Sequence, residues 1–298
     1  MDIARFFRIA SSASITFVVV VVGAVGSTYW WGGRKLARTV KVNVTPVTIP
    51  TDTAAIAHGK YLYESRGCMD CHGAKGAGKQ VFDEPNGLRV RAPDITQANP
   101  DVAKYRPEDW DRAIRHGVAQ SGRPLLIMPS EDYNRLSNED FGALVAYVRS
   151  LPPANGQPAE VRFPWFAQGL YGAGVIRDAA EKINHELPPA PAIAAGVTPA
   201  YGQYVANACM GCHGGDLRGG HIPGAPPDWP PAADLRPNGV MTRYPQPDQF
   251  VAMMRTGKRP DGTDVSRVMP FSSFAKMNDT DLNALHLYLS AAKEKGRF

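Results

Sequence analysis

The distribution of apolar and polar positions divides the chain into an apolar head and two similar helical stretches. From Ile9 to Trp31 no residue is charged, and Phe17 to Val25 is strongly apolar. These 23 residues, at ~1.5 Å rise, would cross a hydrocarbon core of ~30 Å as one helix. Arg5 and Arg8 precede the stretch, and Tyr29, Trp30 and Trp31 close it, where amphipathic rings anchor at a membrane interface. The alternative is a cleaved signal peptide with its small-residue site at Ala24-Val25-Gly26. An anchor is preferred, because the stretch exceeds a signal core of ~7–15 residues and the aromatic cluster would make an odd mature start. Further on, apolar residues recur at helical spacing as Phe141, Leu144, Val145 and Val148, and again as Leu282, Leu285 and Leu289. Ser137 and Asn278 precede these runs as N-caps, each with an acid three residues on. Shorter amphipathic stretches carry Tyr61 and Leu62, and Tyr204 and Val205. Helices are also predicted over Glu108 to His116 and Asp248 to Thr256, stopped by Gly117 and Gly257. No stretch alternates strictly enough to predict a strand.

The similarity of the two stretches is an internal repeat, which sets the architecture. Cys68 and Cys209 are 141 residues apart, as are Met128 and Met269, so each Cys precedes its Met by 60 residues. Leu126-Ile127-Met128-Pro129 answers Arg267-Val268-Met269-Pro270. The predicted fold is all-α: an N-terminal membrane anchor (1–41), a first small domain (52–152), a Pro-rich connection (153–196) and a second small domain (197–298). The connection holds Phe163-Pro164-Trp165-Phe166 and a candidate helix from Ala167 to Asn184, for which packing across both domains is preferred to partner docking. With 29 Gly and 26 Pro, loops between the helices are long, and something else must organise each core.

Charge excludes one class of function. The formal net charge is +5, but residues 1–41 carry six basic side chains against Asp2, which accounts for the whole excess. The remaining 257 residues are balanced at 27 basic and 27 acidic groups. Nucleic-acid binding, which needs clustered Lys and Arg, has no support here.

All four cysteines lie in Cys68-Met69-Asp70-Cys71-His72 and Cys209-Met210-Gly211-Cys212-His213. Sulfurs at i and i+3 on one turn can form thioethers to the two vinyl groups of one haem, and the adjoining His then faces the iron, which is the c-type attachment signature. A zinc half-site or a thioredoxin-like pair does not need a His after the second Cys. Two covalently bound haem c groups are expected, with His72 and His213 as proximal ligands. After Met69 of the motif, Met128 is the only methionine of the first half, and the equal offset singles out Met269 over Met241, Met253, Met254 and Met277. The Pro after each methionine disfavours helix there and suits an extended strap across a haem face. His plus thioether fills the coordination sphere, which favours electron transfer over catalysis. The proximal rings are expected to donate Nδ1–H to carbonyls near Pro93 and near Pro230 or Pro231. Arg115 and Arg255, with Tyr105 and Tyr244, are candidates for haem propionates or for plain helix faces. His58, His116, His185, His221 and His286 are read as surface or core residues.

With Gly59-Lys60-Tyr61-Leu62, Ala92-Pro93-Asp94-Ile95-Thr96, Ile114-Arg115-His116-Gly117, Gly122-Arg123-Pro124 and the two Met-Pro straps in view, the chain resembles the class I cytochromes c. It is more similar still to the membrane-associated cytochrome subunits of bacterial periplasmic dehydrogenases. That resemblance implies redox partners: a donor dehydrogenase or respiratory complex, and an acceptor cytochrome or terminal oxidase. It also implies a single-pass protein of the cytoplasmic membrane with its globular part in the periplasm. Arg34, Lys35, Arg38 and Lys41 follow the span, opposite to the positive-inside tendency. Outer-side haem attachment outweighs them. The competing reading is a dihaem redox enzyme such as a peroxidase, in which a methionine leaves the iron and His116 or His221 takes part. A cysteine-ligated enzyme is excluded, since there is no fifth cysteine.

Overall fold

A computed structural model describes residues 3–222, 225–226 and 228–291, with the backbone alone for 3–13. The helices in chain order are α1 (Ile3–Leu36), α2 (Thr53–Ser65), α3 (Cys68–His72), α4 (Pro107–His116), α5 (Ser130–Tyr133) and α6 (Asn138–Ser150), followed by α7 (Trp165–Gly172) and α8 (Ala179–Lys182). The second half adds α9 (Pro199–Ala206), α10 (Met210–His213), α11 (Pro247–Thr256), α12 (Phe271–Phe274) and α13 (Asp279–Ala291). The predicted caps form: Ser137 Oγ accepts from the Asp140 amide, and Asn278 Oδ1 accepts from the Asp281 amide at 2.8 Å. Gly117 and Gly257 end their helices in the left-handed region, at φ 65° and 69°, which a side chain would oppose.

Each half packs one core around a crossing of its first and last helices. In the first, Leu62, Tyr63, Trp110, Phe141, Leu144 and Val145 are buried together; in the second, Val205, Met253, Met277, Leu282, Leu285 and Leu289 are. The crossings are tight for the same reason. A Cβ on Gly59 would lie 1.9 Å from the Ala143 carbonyl oxygen, and one on Gly202 would lie 2.0 Å from that of Ala284. Glycine lets α2 touch α6, and α9 touch α13, backbone to backbone.

The structure corrects the expectation of a wholly α-helical protein. Strands β1 (Gln80–Asp83), β2 (Arg89–Arg91) and β3 (Glu160–Arg162) form an antiparallel sheet in the order β1-β2-β3. Three or four residues are too few for alternation to be read from sequence. Strand β3 comes from the connection, and the Gly156 amide donates to buried Asp94 Oδ2 at 2.7 Å, so this segment is sewn to the first domain.

The connection also differs from expectation. The candidate helix Ala167–Asn184 is broken into α7 and α8, and α7 packs on α1. Among the described residues one helix is long and apolar enough to cross a membrane, over Ser14–Leu36 at a mean hydropathy of 1.5. Beyond the apolar stretch, Lys35 pairs with Glu181 at 2.8 Å, and Arg38 with Asp178 at 2.7 Å.

Candidate haem sites and the interface between them

The two CxxCH motifs sit on equivalent short helices. Cys68, Cys71 and His72 lie on α3; Cys209 ends a 3₁₀ turn that runs into α10, which carries Cys212 and His213. His72 Nδ1–H donates to the Pro93 carbonyl at 3.1 Å, as expected, and His213 Nδ1–H to the Ala233 carbonyl at 2.7 Å, two residues past Pro231. These bonds hold the rings with Nε2 as the remaining donor atom. Burial pushes both histidines below the ordinary value, against the smaller pull of the carbonyls, which keeps them in the neutral, ligating form. Burial also pushes the thiols of Cys68 and Cys209 up to about 12. A thiol-redox pair works through a lowered value, so these cysteines are unlike one.

One cavity of about 1390 Å³ joins both halves. Cys71 and Met128 line it from the first half, and Cys209, Cys212, His213 and Met269 from the second. Cys68 and His72 adjoin Cys71 on α3 without lining it. The volume exceeds the ~300–1,000 Å³ of a usual small-molecule pocket. Apolar walls, a neutral imidazole with its Nδ1 held and a thioether strap make a donor set that fits haem c.

Other sequence candidates fall elsewhere. Arg115 is 1% exposed, but it neither lines the cavity nor faces solvent. It donates to the carbonyls of Leu136 and Ser137 at 2.7 and 2.8 Å and pairs with Asp111, tying α4 to the start of α6. Arg255 does the same in the second half, donating to the Ala275 carbonyl and to Asp279. Tyr244 lines the cavity, whereas Tyr105 packs edge-on to Trp110. His58 bonds Asp140, His116 bonds His185, and His286 bonds the Tyr244 carbonyl; of the five, His221 alone lines the cavity.

Sequence reasoning missed the contact between the halves, which follows the same repeat. Tyr61 donates to Asp281 Oδ2 at 2.5 Å, and Tyr204 donates to Asp140 Oδ2 at 2.5 Å. The amides of Asn278 and Ser137 donate back to these two hydroxyls at 3.0 and 3.1 Å. The segments after the methionines cross over as well. Ser272 and Ser273 donate to Asp70 inside the first motif at 2.7 Å, and the Gly211 amide of the second motif donates to Asp132. Each half therefore sets its Met-Pro segment against the cysteine helix of the other. The clue available in sequence was that Asp140 and Asp281 share the 141-residue offset of the ligand candidates.

The pairing is symmetric in place and unequal in charge. Asp281 is fully buried and also accepts from Arg66 at 2.5 Å and from Tyr201 at 2.7 Å. Burial opposes its charge, but Arg66 and the tyrosine hydroxyls outweigh this and hold it below the ordinary carboxylate range. Asp140 has His58 at 2.6 Å in that role.

With this geometry in view, the comparisons with known proteins place the chain. Residues 54–148 match the family described as cytochrome c oxidase, cbb3-type, subunit III, and residues 199–293 match the family cytochrome c. The chain is thus a c-type cytochrome built of two cytochrome c-type domains. It is similar to the fructose dehydrogenase cytochrome subunit of Gluconobacter japonicus, 28% identical over 54% of this chain and 32% of that one. It is also similar to the gluconate 2-dehydrogenase cytochrome c subunit of Pantoea cypripedii, 30% identical over 38% of this chain and 27% of the relative. The CcoP subunit of the cbb3-type oxidase of Helicobacter pylori (strain 52) is 31% identical over 40% and 36%. The chain spans about a third of the length of these curated relatives.

Proposed function

We propose that this chain is a membrane-anchored dihaem cytochrome c that passes electrons from a periplasmic dehydrogenase or respiratory complex to a downstream carrier or terminal oxidase. The domains run over 52–152 and 197–298, of which 223–224, 227 and 292–298 lie outside the described residues. Cys68 and Cys71 attach one haem and Cys209 and Cys212 the other, with His72 and Met128, and His213 and Met269, as axial ligands. The observation that carries this is the single cavity lined by Cys71, Met128, Cys209, Cys212, His213 and Met269. Bound haem c supplies a one-electron ferric/ferrous couple. The chain holds each imidazole through a backbone carbonyl and presents a thioether from a strap whose Pro129 or Pro270 keeps it out of a helix. Cross-docking of the two Met-Pro segments keeps the two sites at a fixed spacing. Pairing of Lys35 and Arg38 with the connection assigns these charges to the folded body, which supports an outward orientation despite the positive-inside tendency. Relatives that are dehydrogenase and oxidase subunits support partners of that kind.

The test is haem content and ligation of the purified full chain. Two haem c per chain, both low-spin, are expected, with a methionine-to-iron charge-transfer band when oxidised. Met128→Ala and Met269→Ala should each remove part of that band and open one iron to carbon monoxide. A colourless protein, or rapid carbon monoxide binding by either native ferrous site, would overturn the assignment.

A further inference from the structure

We propose that α7 is an interfacial helix, with Trp165 seated in the headgroup boundary of the leaflet from which α1 emerges, so that the two-domain body meets the bilayer at a fixed angle. This rests on α1 being the membrane anchor. Along the uncharged stretch Ile9–Trp31, Val20 is central, and ten residues at ~1.5 Å carry Trp30 ~15 Å away, to the edge of a ~30 Å core. Helix α7 is clamped at that level. A Cβ on Gly172 would lie 2.0 Å from the Thr28 carbonyl oxygen, and one on Gly32 would lie 2.1 Å from that of Gln168. Gln168 Nε2 donates to the Tyr29 carbonyl at 3.1 Å, and Lys35 Nζ donates to the Tyr171 carbonyl at 2.9 Å. With no side chains at the two glycines, the backbones meet, and the helices cannot slide along each other without breaking these bonds.

The exposed side chains at this level include amphipathic rings and one cation, Arg34, whose guanidinium lies 4.9 Å from the Trp30 ring centroid. Trp165 is 66% exposed, Trp30 54%, Trp31 55% and Tyr29 45%, amphipathic rings on two helices clamped to each other, of the kind that suits the headgroup region. Phe166 and Leu170 are also half-exposed, but they line the haem cavity and belong to it, whereas Trp165 does not line it. Eight residues make α7 ~12 Å long, too short to span, which leaves the surface as the place where it can meet the bilayer. The bilayer is the occupant because the patch is continuous with the apolar span at its outer end.

The experiment uses the full haem-loaded chain in nanodiscs of phosphatidylethanolamine and phosphatidylglycerol, with single substitutions Trp165→Cys, Val20→Cys and Leu187→Cys, each reacted with a water-soluble maleimide. The native cysteines are consumed by haem, and all three positions are exposed on the protein, so folding is retained. Alkylation at 165 and at 20 should be several-fold slower than at 187 in nanodiscs. A rate at 165 equal to that at 187, with 20 protected, overturns the interfacial helix and leaves the anchor standing. A fast rate at 20 overturns the anchor itself.

Discussion

Asp140 and Asp281 stand at equivalent places, each starting the last helix of its half and each receiving a tyrosine from the other half, yet their cations differ. Asp281 is met by Arg66, whose side chain is 8% exposed, while Asp140 is met by His58, 46% exposed. The hydrogen-bond frame of the interface repeats in the two halves, but its charges do not: Arg66 reaches Asp281 from the other half, whereas His58 belongs to the same half as Asp140. Arg66 also lines the cavity, whereas His58 does not. The second domain's carboxylate thus closes a buried ion pair beside the candidate haem sites, and the first domain's closes one that solvent still reaches.

The sharpest way to break this asymmetry is to remove the two carboxylates in turn. Asp281→Ala leaves Arg66 buried without its anion and two tyrosine hydroxyls unmatched, and such uncompensated burial costs about 3–5 kcal/mol. Asp140→Ala leaves the Tyr204 hydroxyl unmatched but lets His58 turn to water, for about 1–3 kcal/mol. Thermal unfolding of the haem-loaded chain should show the larger drop in midpoint for Asp281→Ala. Equal drops would mean that Arg66 adds nothing beyond the shared frame. The charge of Asp281 also carries an acid limit. Its folded value lies below the ordinary one, so its stabilisation is present above pH ~4 and is lost as pH falls through the folded value.

What could be read from sequence is what is local or repeated. Helix starts at Ser137 and Asn278, stops at Gly117 and Gly257, and the tie from His72 to Pro93 each depend on residues within a short span of chain. Tyr61 and Tyr204 read as members of apolar stripes, because nothing nearby tells a buried ring from one whose hydroxyl reaches a carboxylate 220 residues away. Arg115 looked available for propionates because two of its acceptors are the backbone carbonyls of Leu136 and Ser137, and carbonyls have no sequence signature. The crossing of α1 and α7 was hidden likewise, since Gly32 and Gly172 matter through the backbone that each allows to approach.

A second comparison sets the halves side by side where they should agree. Gly59→Ala and Gly202→Ala each place a methyl group within about 2 Å of a carbonyl oxygen across the helix crossing, at Ala143 and Ala284. The backbones must separate, and overpacking of this kind costs about 1–3 kcal/mol. Similar losses of thermal midpoint are expected for the two variants. A loss at one site alone would show that the other domain can move its terminal helix aside, and that the two cores differ in rigidity as well as in charge.

The smallest effect tests the weaker of the two ion pairs by pH. The hydrogen bond to Asp140 raises His58 above the ordinary histidine value, against the opposing effect of burial. A raised folded value means that the charged pair stabilises the protein fully below pH ~6.5 and that this contribution fades as pH climbs through the raised value. His58 is half-exposed, so solvent screening holds the gain to a few tenths of a kcal/mol up to about 1. His58→Gln keeps a donor for Asp140 and cannot titrate. Its unfolding midpoint should therefore fall below that of the native chain at pH 5.5 and approach it at pH 8.5. A difference that stayed constant across this range would mean that His58 acts on Asp140 as a neutral donor, and that of these two pairs only Arg66 with Asp281 is ionic.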